Sequence, residues 1–93
     1  MKENLKVVCV QAETYSVYEK ERNIQYHVDK ILSLKSEHPD LVVFPELSIS
    51  GYIRESNPEN RRDYWNLGAE PVPGPATNRI IEAAKEVGCY VIF

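Results

Sequence analysis

The chain has 93 residues, a formal net charge of −3, 43% hydrophobic residues and 27% charged residues. This is the composition of a globular domain, and it lacks the concentrated positive charge that nucleic-acid binders present to phosphates, which argues against a nucleic-acid partner. At this length folding buries only about 60–65% of the unfolded surface, so the core has little margin.

The N-terminus, MKENLKVVCV, has one short apolar run and no small-residue cleavage site, unlike a signal peptide. Within it residues 5–10 (LKVVCV) read as a strand. No segment approaches the roughly 20 apolar residues of a membrane span, so no membrane partner is expected. From about Glu19 to Ser36 the period changes, with Ile24, Val28, Ile31 and Leu32 spaced as one face of a helix. Glu19 and Glu21 fall in its first turn, where acids suit the helix dipole. His38 precedes Pro39, a position that disfavours helix, so the helix is expected to stop there.

Residues 41–44 (LVVF) form a continuous apolar run that reads as a strand buried on both faces. Pro45 removes a backbone donor and ends it. Residues 53–73 are polar and proline-containing, which predicts a long loop with one short helix around Glu59 to Trp65. A second helix starts at Gly74-Pro75, buries Ile80, Ile81, Ala84 and Val87, and stops at Gly88. CYVIF, residues 89–93, opens a further buried strand. The order β-α-β-loop-α-β indicates an α/β architecture. The apolar end at Phe93 leads us to expect one domain, over residues 1–93, that continues in a larger one.

Glu46 stands directly after the apolar strand, where functional groups gather in α/β sheets. Apolar neighbours would disfavour its charged form and suit it to take and return a proton near neutrality. A turn acceptor, an N-cap or a salt-bridged acid accounts for the same placement, and the residues alone leave the choice open.

The string VVFPELSISGY resembles the first active-site segment of the nitrilase-like carbon–nitrogen hydrolases. The likeness continues through Val10-Gln11, Asn23 in the long helix, Pro39-Asp40-Leu41 before the strand, Pro73-Gly74-Pro75 before the next helix, and the segment from Val87 to Phe93. The resemblance implies an N-terminal portion of a four-layer αββα sandwich and a hydrolase of amide, carbamoyl or nitrile compounds. It also implies a glutamate–lysine–cysteine triad and association into homo-oligomers. Glu46 matches the glutamate, the general base. The lysine and the cysteine match nothing in these 93 residues, so the chain by itself is expected to be inactive.

The remaining candidates read more plainly. Cys9 and Cys89 lie inside apolar strand-like runs, as buried free thiols in a reducing, cytosolic compartment. Tyr90 after Cys89 imitates the family's nucleophile segment, but Val91-Ile92-Phe93 is strand core. Lys2, Lys6, Lys20, Lys30, Lys35 and Lys85 read as solvated charges. His27 borders the helix stripe as a packed side chain rather than a base. Tyr52 either lines the substrate pocket or packs beside it, and Gly51 supplies a tight turn. Arg61, Arg62, Tyr64 and Trp65 fit a pocket rim, a subunit contact or, more simply, a short helix on the sheet edge. There is no metal-ligand spacing, phosphate loop or Ser-His-Asp arrangement, and no cofactor is called for. The alternative to a hydrolase is a non-catalytic remnant that binds a partner through its open last strand.

Overall fold

The computed structural model describes residues 3–52 and 58–93. Lys2 and residues 53–57, the first part of the predicted loop, lie outside the described residues. Three short strands, β1 (Val7–Cys9), β2 (Leu41–Val43) and β3 (Tyr90–Ile92), form a parallel sheet in the order β1-β2-β3. Helix α1 (Lys20–Ser33) joins the first two strands. Helices α2 (Pro58–Gly68) and α3 (Pro75–Val87) lie between the last two. Helices α1 and α3 lie side by side against the same face of the sheet.

Ladder bonds extend the strands past their regular spans. The Val10 N–H donates to the Val43 carbonyl at 2.8 Å, and the Phe44 N–H donates to the Ile92 carbonyl at 2.8 Å. Asp40 aligns the starts of all three strands. Its carboxylate accepts the Lys6 N–H at 2.8 Å, its own N–H donates to the Lys6 carbonyl at 2.9 Å, and its carbonyl accepts the Tyr90 N–H at 2.9 Å.

The helix boundaries follow local chemistry. Pro75 occupies the first turn of α3 behind Gly74, as expected, and Gly88 ends it in the left-handed conformation with φ 79°. Helix α1 ends three residues earlier than the pattern suggested. The Leu34 N–H reaches back to Ile31, a tighter 3-10 turn covers Lys35–Glu37, and His38 turns left-handed with φ 51° before Pro39.

The core is built from Val10, Ile31, Val42, Phe44, Ile80 and Ala83, with Val8 and Val91 packed against it. Each fully buried aliphatic side chain contributes about 1.5–3 kcal/mol of transfer free energy. Two helix stripes differ from expectation. In α3 the buried residues are Ala76, Ile80 and Ala83, while Ile81 is exposed. In α1 they are Asn23, Ile24, His27 and Ile31, so two polar residues take positions nearest the core.

The strand expected to be buried on both faces is covered on one. The register aligns Val8, Val42 and Val91, all facing the helices. On the opposite face Val7, Tyr90, Cys9 and Ile92 are exposed, and Leu41 and Val43 are half-buried. No described residue covers that face. Cys9 is therefore an exposed free thiol rather than a buried one, whereas Cys89 is half-buried.

Candidate active site

The turn that follows β2 carries Glu46. Pro45 stops the ladder, and residues 46–50 coil back in a single turn closed by the Gly51 N–H donating to the Leu47 carbonyl at 2.7 Å. Leu47 adopts φ 55°, a left-handed conformation that a branched residue holds only when its surroundings impose it. Gly51 has φ 79°, and a Cβ there would stand 2.4 Å from the Tyr15 carbonyl oxygen. Backbone conformation and lack of space both require glycine at this position.

Helix α1 imposes the turn. Asn23 and His27, one helical turn apart, point from it into the 46–51 segment. The Asn23 side-chain amide donates to the Ile49 carbonyl at 3.0 Å and to the Tyr15 carbonyl at 3.0 Å, and its oxygen accepts the Tyr15 N–H at 2.9 Å. His27 is fully buried. Its Nδ1 lies 2.6 Å from the Asn23 carbonyl oxygen, which can only accept, so Nδ1 carries the proton. Its Nε2 is then the acceptor for the Ser48 hydroxyl at 2.7 Å. The imidazole also stacks on Phe44, with ring centroids 4.1 Å apart. Burial pushes the His27 pKa below its ordinary value, and the Asn23 carbonyl opposes this in part.

Helix α2 holds the far end of the turn. The Tyr64 hydroxyl donates to the Gly51 carbonyl at 2.9 Å and lies 3.0 Å from the Ser50 hydroxyl, which must be the donor of that pair. Arg61, Arg62 and Trp65 are exposed. The supposed basic-aromatic cluster therefore divides, with Tyr64 alone of these four turned onto the Glu46 segment.

Lys20 and Glu70 tie the same region to α3. The Lys20 ammonium pairs with Glu70 and donates to the Leu67 carbonyl at 3.2 Å, and the other Glu70 oxygen accepts the Ala76 N–H at 2.7 Å. Only 17% of the Lys20 side chain is exposed, which corrects its reading as a solvated charge. Burial pushes the Glu70 carboxyl up, but Lys20 and the Ala76 and Thr77 amides outweigh that and hold it below the usual carboxylate range.

Glu46 itself is exposed on this braced turn, and so is Tyr52. The apolar cover supposed around Glu46 is absent among the described residues. A cleft of about 590 Å³ adjoins the turn, lined by Leu47, Ser48, Ser50, Glu70, Thr77 and Phe93 among others. Cys89 stands apart, under α3, and burial raises its thiol pKa, as for an inert packed thiol. No group of three or more His, Cys, Asp or Glu side chains suited to a metal occurs among the described residues. None of their helices is long and apolar enough to cross a membrane.

The carbon–nitrogen hydrolase family matches residues 6–93, nearly the whole chain. The chain belongs to that family. An aliphatic nitrilase of Sinorhizobium fredii (strain HH103) is 30% identical over 82 residues, which cover 76% of this chain and 27% of the relative. The chain thus spans about a quarter of the length of the curated relative it matches. No solved structure matches it. The likeness read from VVFPELSISGY is borne out at the level of family. In this carbon–nitrogen hydrolase chain, the sequence alone did not reveal Asn23, His27 and Tyr64 as the residues that brace the Glu46 turn. The signal available was the i, i+4 pair of polar residues beside an apolar stripe, which becomes informative once their acceptors are known.

Proposed function

We propose that the protein hydrolyses non-peptide carbon–nitrogen bonds of small amide, carbamoyl or nitrile compounds, with Glu46 as general base. A lysine and a cysteine nucleophile from outside these 93 residues complete the site, in a four-layer αββα sandwich to which this sheet and its helices contribute. The observation that carries the reading is the placement of Glu46. It leaves the carboxyl end of the central strand on a turn braced by α1 and α2, with its carboxylate facing outward.

For an amide the proton accounting is simple. Glu46 takes the thiol proton, the thiolate attacks the carbonyl carbon, and the C–N bond breaks as Glu46 returns the proton to the leaving amine. Water then attacks the thioester. Glu46 takes its proton and passes it to the departing sulfur, while the lysine stabilises each oxyanion. Glu46→Gln in the native-length protein is expected to lower kcat by about 10²–10⁴-fold with KM little changed. Retention of more than a tenth of the turnover would refute the assignment. The 93 residues alone are expected to show no turnover, and hydrolysis by them that Cys89→Ala abolishes would overturn that expectation.

The uncovered apolar sheet face around Val7, Tyr90 and Ile92 favours a second reading, a non-catalytic module that binds a partner through this face or its edge. A native-length protein that lacks activity on amides and nitriles yet co-purifies with a defined partner would support it.

A further inference from the structure

We propose that His27 is the positioning residue of the Glu46 carboxylate, acting through Ser48; the proposal rests on the general-base reading above. Glu46 lies between two fully seated neighbours. Two residues before it, Phe44 is 3% exposed and its N–H is fixed to the Ile92 carbonyl. Two residues after it, Ser48 is 1% exposed. The His27 side chain touches both, stacking on the Phe44 ring and accepting the Ser48 hydroxyl at 2.7 Å.

The connection between these anchors is short and stiff. Pro45 has a fixed φ, and Leu47 sits in the left-handed region at φ 55°, a conformation that relaxes if Ser48 is released. The imidazole is itself immobile, because its Nδ1–H is held by the Asn23 carbonyl and Asn23 is held by the Tyr15 and Ile49 backbones. An exposed carboxylate has no cover of its own to keep its direction, so the backbone on either side must set it. Misplacing a reacting group by about 1 Å costs on the order of 100-fold in rate.

The test uses the native-length protein, with ammonia release from butyramide and butyronitrile as the activity assay. His27→Leu keeps the bulk and removes the acceptor. It is expected to lower kcat by about 10- to 100-fold with KM changed less than about threefold. His27→Gln, whose amide oxygen offers Ser48 an acceptor, restores most of the loss. Ser48→Ala has the same effect as His27→Leu, and the double variant is no worse than either, because both remove one interaction. Independently of any substrate, both variants speed hydrogen exchange at the Gly51 amide by about 3- to 10-fold while leaving the Phe44 amide unchanged.

Full kcat in Ser48→Ala, additive losses in the double variant, or unchanged Gly51 exchange in both variants would overturn the proposal. If His27→Leu does not fold, Ser48→Ala decides alone. Loss of activity in Glu46→Gln together with full activity in Ser48→Ala defeats only the positioning role. Retained activity in Glu46→Gln defeats the general base, and the positioning role with it.

Discussion

Gly51→Ala probes the turn most directly, because Gly88→Ala provides its control. Both glycines have φ 79°, so an alanine at either pays the left-handed penalty of about 1–2 kcal/mol. At Gly88 nothing lies within 4 Å of the added carbon, and that penalty is the whole cost. At Gly51 the carbon would sit 2.4 Å from the Tyr15 carbonyl oxygen, closer than a carbon–oxygen contact allows. Tyr15 is not free to retreat. Its N–H and carbonyl are bonded to Asn23 at 2.9 and 3.0 Å, and its ring lies under the Arg22 guanidinium at 3.7 Å. Moving it sacrifices one or both Asn23 hydrogen bonds, each worth about 0.5–1.5 kcal/mol. Gly51→Ala should therefore cost about 1.5–5 kcal/mol, against about 1–2 kcal/mol for Gly88→Ala. Equilibrium urea unfolding of the three proteins, fitted with a common slope, measures the difference. If Gly51→Ala falls within about 0.5 kcal/mol of Gly88→Ala, Tyr15 yields freely and the argument that Asn23 pins this turn is wrong.

Other outcomes follow from the same structure. His27 has a folded pKa below its unfolded value of about 6.5, so its contribution to stability is complete above that pH and is lost as pH falls through the folded pKa. Unfolding free energy should fall on going from pH 7 to pH 5, with His27 contributing no more than about 1.4 kcal/mol per pH unit, and His27→Gln should flatten the profile; an identical slope in the variant would contradict this. Glu70 also has a depressed folded pKa, so its contribution is present above its unfolded value of about 4.3 and is lost below it. Glu70→Gln should cost about 1–3 kcal/mol at pH 7 and less at pH 3, as read by urea unfolding at the two pH values. Ile31→Ala, at a side chain with no exposed surface, should cost about 2–5 kcal/mol in the same assay, and a loss below 1 kcal/mol would mean that the core closes over the cavity.

Much of the fold was legible because its signals are local. The β-branched runs at Val7-Val8 and Val42-Val43, proline behind Gly74, and glycine at position 88 each act within a few residues of themselves. The short helix before Gly68 was legible too, although it runs from Pro58 to Gly68 rather than from Glu59 to Trp65. The stripe of α1 was misread for a physical reason. Asn23 looks solvent-facing by polarity, and His27, read as a packed side chain at the border of the stripe, lies fully inside it; burying either is costly unless every polar atom finds a partner. Those partners are the Tyr15 and Ile49 backbones and the Ser48 hydroxyl, in segments on either side of the helix in sequence.

The sequence by itself determined the order of strands and helices, the place where β2 stops, and the acid that follows it. Local backbone preferences and the family's FPE segment suffice for that. Only the tertiary structure decided which faces are covered, that Cys9 is exposed while Lys20 is largely buried, and that Glu46 stands on a turn clamped by α1 and α2. Burial and hydrogen-bond satisfaction are set by what is brought alongside from elsewhere in the chain, and no residue's own chemistry contains that information.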